Sequence, residues 1–173
     1  MENIGFYRSP DIEGHEIVYK SRPSEFDDFF ICENLLIIVE YTSVKEVSTH
    51  LLKKKVIYDL IDKNHREFIE FAISEPKLSS FKEYYDKEIK NKYSNGQIRI
   101  RILYCSIKPI DPQYKENLSE NKTVRFYDYG TVHYFKSLAA NIERSARFEL
   151  LYFLDIKASD FGNSVFARSN SSP

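Results

Sequence analysis

The most restrictive stretch of this chain is Leu35-Leu36-Ile37-Ile38-Val39, followed by Glu40-Tyr41-Thr42. Side chains of a strand alternate between two faces, so an unbroken apolar run suits a strand covered on both sides. It is short for a helix, and its neighbours are β-branched or aromatic, which favours the strand. Immediately upstream, Phe26 to Cys32 is a second apolar-aromatic run. Glu33-Asn34 between them reads as a tight turn, so the two runs form an antiparallel hairpin. A strand buried on both faces needs a layer on each side, and the chain must supply those layers.

The period changes after Val44. Val47, Leu51, Leu52, Val56, Leu60 and Ile61 recur at helical spacing, with Lys53, Lys54 and Lys55 between them. This is a long amphipathic helix, which residues 66–73 either extend or follow as a separate turn. Pro76 breaks the chain, and Ser79 or Ser80 caps a further helix through about Tyr93. After the Asn95-Gly96 turn, Ile98, Ile100, Ile102 and Tyr104 alternate with Arg99, Arg101 and Leu103, which predicts a strand with a basic face near its start. Residues 111–121 form a polar loop, Thr123 to Tyr129 alternates as another strand, and the pattern is helical from about Thr131. Residues 1–24 are mixed, with Pro10, Gly14 and Pro23 as breakers. The order predicts an α/β fold, a mixed β-sheet flanked by helices, with C-terminal helices. One domain spans 1–168, and the Ser/Asn-rich 169–173 is a disordered tail.

Composition supports a packed core: 42% hydrophobic against 29% charged residues, with 13 Tyr and 13 Phe. A net charge of −1 gives no global basic excess, so any nucleic-acid contact has to be a local face. Cys32 and Cys105 lie inside apolar runs without pairing or metal spacing and read as small buried thiols. The N-terminus carries no basic-then-apolar leader, and no apolar run reaches the about 18 residues of a membrane span. The expectation is a cytoplasmic protein with no membrane association. Five glycines and no nucleophile elbow argue against a phosphate loop or a serine hydrolase.

Chemistry concentrates at the hairpin. Glu25-Phe26-Asp27 opens one strand and Glu40 lies near the end of its partner, so antiparallel pairing folds the acids toward each other. Two carboxylates brought together repel unless a cation neutralises them, and oxygen ligands select Mg²⁺ or Mn²⁺. Asp28 is a rival for the first acid, but alternation lets only one of Asp27 and Asp28 face such a site. His50 and Lys54, one helical turn apart, share a face of the following helix.

Asp27, the hairpin and Val39-Glu40-Tyr41-Thr42 resemble the D…ExK signature of the PD-(D/E)XK nucleases. That resemblance implies a restriction-endonuclease-like sheet, Asp27 and Glu40 as metal ligands for Mg²⁺ or Mn²⁺, and cleavage of DNA. It also implies a lysine where Thr42 stands. A hydroxyl carries no charge and cannot replace an ammonium, so Lys45, just past the strand, and Lys54, on the helix, are the candidate substitutes. Thr42 itself is a candidate hydrogen-bonding partner of the water. Glu16 is the candidate for the helper acid that the family often carries in an early helix. The hairpin, the His50-Leu51-Leu52-Lys53-Lys54 helix and the stretch from Tyr134 through Leu151 are also similar to the front part of bacterial proteins of DNA modification and phage-defence loci that carry a DGQHR segment, a segment not found here. That likeness implies further domains in a longer protein, and many nucleases of the type act as homodimers.

Lys53, Arg99 and Arg101 are the candidate phosphate contacts, with Arg144 and Arg147 as a further pair one helical turn apart and Glu143 placed to pair with Arg147. Aromatic residues from Phe126 through Tyr134 either stack bases or pack the core. The function expected is a divalent-metal-dependent DNA endonuclease-like module in DNA processing or phage defence. The alternative is a catalytically degenerate nuclease fold that binds nucleic acid or protein. A domain with a purely structural role is the third reading.

Overall fold

In the computed structural model, residues 6–43, 46–133, 154–157 and 161–162 are described. Strands β1 (Tyr7–Ser9), β4 (Asp28–Cys32), β5 (Leu35–Thr42), β6 (Arg99–Ser106) and β7 (Val124–Tyr127) form a five-stranded sheet in the order β1-β4-β5-β6-β7. The pairs β1/β4 and β4/β5 are antiparallel, while β5/β6 and β6/β7 are parallel. A parallel neighbour requires a crossover. Between β5 and β6 it is made by α1 (Val47–Lys63), α2 (His65–Ser74) and α3 (Ser79–Tyr84). The fold is a mixed α/β sheet flanked by helices, as the element order predicts.

The unbroken run does what its composition demands. Leu35 through Val39 are at most 2% exposed. Leu36 and Ile38 face the helices and pack with Leu51, Tyr58, Ile61, Ile100, Ile102 and Tyr104. Leu35, Ile37 and Val39 face the other way, against Phe6, Phe30, Leu154 and Ile156. Each such side chain contributes about 1.5–3 kcal/mol through burial. The Glu33-Asn34 turn closes the hairpin with Glu33 in the left-handed region at φ 51, and the Tyr93 hydroxyl donates to the Glu33 carboxylate. The sheet splits the molecule into two faces, and that division places the candidate site.

Several elements differ from expectation. Residues 16–25 form a small hairpin, β2 (Glu16–Tyr19) and β3 (Arg22–Glu25), packed through Ile17 and Tyr19 into the helix-side core. Its turn holds Lys20 at φ 49 and Ser21 at φ 62, the conformation that Asn-Gly pairs usually mark. Residues 65–74 are a separate helix because Asn64 caps it, accepting from the Glu67 backbone N–H at 3.1 Å. The helix from Ser79 widens to a π-turn at Tyr85–Ile89, and its start is capped by the distant Asp11 carboxylate rather than by a serine. The loop 111–121 contains the short helix α4 (Pro112–Glu116). The predicted C-terminal helices, the 169–173 tail, Lys45, Tyr134, Glu143, Arg144 and Arg147 lie outside the described residues. No helix among the described residues is long and apolar enough to cross a membrane.

Candidate active site

Glu40 sits on β5 in phase with Leu36 and Ile38, so its side chain enters the helix-covered face and is only 3% exposed. A carboxylate taken out of water needs partners. Helix α1 supplies them along one stripe, since His50, Lys54 and Tyr58 recur every four residues. The Tyr58 hydroxyl donates to Glu40 Oε2 at 2.6 Å, and Lys54 Nζ lies 2.7 Å from Oε1. His50 Nε2 is in contact with the same Oε1 at 3.4 Å. Burial pushes the Glu40 carboxyl above its ordinary value, Lys54 and then Tyr58 oppose the rise, and the charge of Asp27 adds to it. Burial, together with Glu40, holds the Tyr58 phenol protonated far into the alkaline range.

Lys54 is itself held from three sides. Its ammonium donates to Ser24 Oγ at 3.2 Å and to the Glu25 carbonyl at 2.6 Å, and it lies 5.4 Å from the centre of the Phe26 ring. The β2–β3 hairpin is therefore what aims the lysine at Glu40. His50 Nδ1 lies 2.9 Å from the Tyr104 hydroxyl. Burial and then the neighbouring charges of Lys54 and Lys53 lower the His50 pKa, so the ring is neutral at neutral pH.

The two rival acids part company. Asp28 is in phase with Phe30 and Cys32 on the second face, where its buried carboxylate pairs with the partly exposed Arg8 guanidinium. Asp27, one residue before the first registered pair Asp28 and Val39, is half-buried; its backbone N–H donates to the Val39 carbonyl at 3.0 Å and its carboxylate accepts the Tyr41 backbone N–H at 2.6 Å. Its charge acts on Glu40, His50 and Tyr58. Asp27, Glu40, Lys54 and His50 are thus gathered at one end of the sheet, with Thr42 buried two residues beyond Glu40 on β5.

Other sequence candidates are not gathered there. Glu16 is an exposed residue of β2, opposite Glu25 in a strand pair, because the segment is a hairpin and not an early helix. Arg99 and Arg101 alternate out of phase with Ile100 and Ile102 and so lie on the second face, away from Glu40. Arg99 is exposed. Arg101 donates to the carbonyls of Leu154 and Asp155 at 2.6 and 2.9 Å, and burial lowers its pKa to about 10. That guanidinium secures a turn. Lys53 is exposed on α1 beside the site. Cys32 and Cys105 are half-buried free thiols on the second face, and burial pushes the Cys105 thiol up to about 12. Phe126 packs edge-on against Tyr104, and Tyr129 is exposed.

Among the described residues, no group of three or more His, Cys, Asp and Glu is arranged to hold a metal ion. A small hard cation of the Mg²⁺ kind needs fewer protein ligands, since one or two carboxylates suffice beside water and substrate phosphates. Asp27 and Glu40 are a set of that size. Lys54 and Tyr58, with His50 in looser contact on Oε1, take up to three of the roughly four lone-pair sites of a carboxylate, so Glu40 retains capacity for a cation on the Tyr58 side. The donor set is compatible with Mg²⁺ or Mn²⁺. Comparison with protein-family models, with curated proteins and with solved structures finds no match.

Proposed function

We propose that the chain is a divalent-cation-dependent DNA phosphodiesterase module in which Lys54 takes the role that a lysine at position 42 would have had. The observation that carries this reading is the 2.7 Å approach of Lys54 Nζ to Glu40 Oε1, at the end of the sheet where Asp27 also lies. An acid pair and an ammonium is the set that phosphodiester hydrolysis requires: negative ligands, and a cationic group near the attacking water and the charged phosphate. Here the ammonium arrives from α1 instead of from β5. A bound Mg²⁺ or Mn²⁺ supplies polarisation of the phosphate and a more acidic water. Asp27 and Glu40 would hold it, Lys54 orients Glu40 and adds positive charge, and Lys53 at the rim attracts the DNA backbone. A role in DNA processing or phage defence, and a homodimer or further domains, belong to the same proposal.

The test is cleavage of supercoiled and linear DNA with Mg²⁺ or Mn²⁺ by the unaltered chain, Glu40→Gln and Lys54→Gln. Metal-dependent nicking, lost in both variants, is the expected result. The second reading, a degenerate fold that binds DNA without cutting it, is favoured by one feature: Lys54 already neutralises the charge of Glu40, and Lys54 and Tyr58 each hold one of its oxygens. Retained DNA binding without nicking by the unaltered chain selects that reading.

A further inference from the structure

Among the described residues, six large apolar or aromatic side chains stand in solvent, and three of them, Tyr41, Ile107 and Tyr129, gather at one place in the fold. Single exposed side chains of this kind are ordinary on a protein surface, and a gathering of them is not. Thr42 is in register with Ser106, and Cys105 with Tyr127, so the parallel strands β5, β6 and β7 end at one level. Tyr41 is the residue before the end of β5, Ile107 follows the last residue of β6, and Tyr129 lies two residues past the end of β7. The three are 56%, 68% and 49% exposed, so none of them serves the core. Phe126, which packs edge-on against the buried Tyr104, does.

This is the end of the sheet that holds the acids. Tyr41 follows Glu40, and its backbone N–H donates to the Asp27 carboxylate at 2.6 Å. The carboxyl ends of parallel strands are where open α/β sheets take their ligands. Tyr41 alternates with Glu40 along β5, so its ring is on the second face while the Glu40 carboxylate is on the helix-covered face. A nucleotide laid across the end of the sheet meets an aromatic surface on one side and the acids on the other. Tyr129 presents a second ring, with the exposed His133 imidazole edge-on to it at 4.4 Å between centroids. Lys108, half-exposed, follows Ile107 and adds positive charge at the same end. Aromatic rings stack the flat faces of bases with little regard to sequence, and cations track the phosphates between them. In a duplex those faces are covered by neighbouring bases, and only the base edges are open in the grooves. We infer that Tyr41 and Tyr129 are base-stacking residues and that the substrate class of the site is single-stranded DNA. This rests on the reading of the site as one that acts on DNA phosphodiesters, and it gives that reading its substrate.

Stacking is read apart from cutting. Without added divalent metal, fluorescence anisotropy compares the full chain on a labelled single-stranded DNA oligonucleotide and on its duplex. The single strand is expected to bind about tenfold or more tighter than the duplex. Tyr41→Leu and Tyr129→Leu, both at exposed positions, are each expected to weaken single-strand binding about tenfold, while Tyr41→Phe and Tyr129→Phe, which keep the ring, stay within about a factor of two of the unaltered chain. With 5-iodouracil in the oligonucleotide, irradiation is expected to cross-link the base to Tyr41 or Tyr129, located by mass spectrometry of the peptides. Equal affinity for the two DNA forms, indifference to both leucine variants, or cross-links confined to other residues overturns the inference. Self-association of the unaltered chain that is lost in Tyr41→Leu and Ile107→Ser, read by sedimentation, overturns it in favour of an interface between copies. Absence of metal-dependent cutting by the unaltered chain, with ring-dependent binding of the single strand intact, overturns the phosphodiesterase reading instead and leaves the stacking residues assigned.

Discussion

The two faces of the central sheet each bury a carboxylate beside a cation, and the two pairs are built differently. On the second face, Asp28 meets Arg8 from β1, and Arg8 also contacts Glu13 at 3.2 Å. On the helix-covered face, Glu40 meets Lys54, with Tyr58, His50 and the charge of Asp27 around it. The first group has two acids on one guanidinium, and the second of them, Glu13, is exposed and reaches another nitrogen of Arg8. The second has two acids, and its proton equilibrium is displaced by burial and by the second acid. The contact of Glu13 is with Arg8, and a structural ion pair needs no second carboxylate acting on the buried one. A site prepared for a cation does, because the repulsion between the acids is relieved when the cation binds.

The largest difference between the faces should appear in chemistry. Replacement of Glu40 by Gln is expected to reduce metal-dependent nicking about a hundredfold or more, while Asp28→Asn leaves it within a small factor. Equal losses in both variants, measured on supercoiled DNA, break the comparison.

The next effect is on stability. Lys54→Met leaves the buried Glu40 charge without its counter-ion and is expected to cost about 3 kcal/mol in urea unfolding at neutral pH. The loss should shrink in acid. Glu40 titrates above its ordinary range in the folded chain, so between the unfolded and folded values the native state binds more protons than the unfolded state, and stability falls as pH rises through that window. Removing Lys54 raises the folded value further and extends the window toward neutrality. A penalty independent of pH contradicts the assignment of the loss to Glu40.

Arg8→Met strips the other buried acid of its partner, but the Arg8 side chain is 35% exposed, so solvent already screens the pair. A smaller cost of about 1–2 kcal/mol is expected, with nicking unchanged. Activity that falls in step with stability would show that the second face also serves the site.

The smallest effect concerns DNA affinity. Lys53→Ala is expected to weaken binding modestly and to reduce the salt slope by about one. Arg101→Met is expected to leave binding unchanged and to cost about 1–2 kcal/mol of stability, since its guanidinium is spent on backbone carbonyls. Salt titrations of DNA binding separate the two outcomes.

How much of this was legible before the structure depended on local patterns. The apolar run of β5, the hairpin with Asp28–Cys32, and α1 follow from periodicity alone, and Asp27 and Glu40 follow from their places on the hairpin. The pairing of Lys54 with Glu40 needed the β2–β3 hairpin, through Ser24 and the Glu25 carbonyl. That hairpin is hidden because Lys20-Ser21 does not mark a turn of positive φ and Pro23 argues against a strand. Tyr58 was legible as the third step of the His50, Lys54, Tyr58 stripe, but an aromatic on a helix reads first as core. Tyr104 offered no such signal, since its contact with His50 depends on β5/β6 register, which is set across a long crossover. The basic face of Arg99 and Arg101 was a sound reading of alternation. Only the sheet shows that this is the face opposite Glu40.

The most direct test of the division between the faces is Mn²⁺ binding followed by titration calorimetry on the unaltered chain, Asp27→Asn and Asp28→Asn. Saturable binding by the unaltered chain, lost in Asp27→Asn and kept in Asp28→Asn, is the result predicted here. Binding that survives Asp27→Asn, or that disappears only with Asp28→Asn, contradicts it.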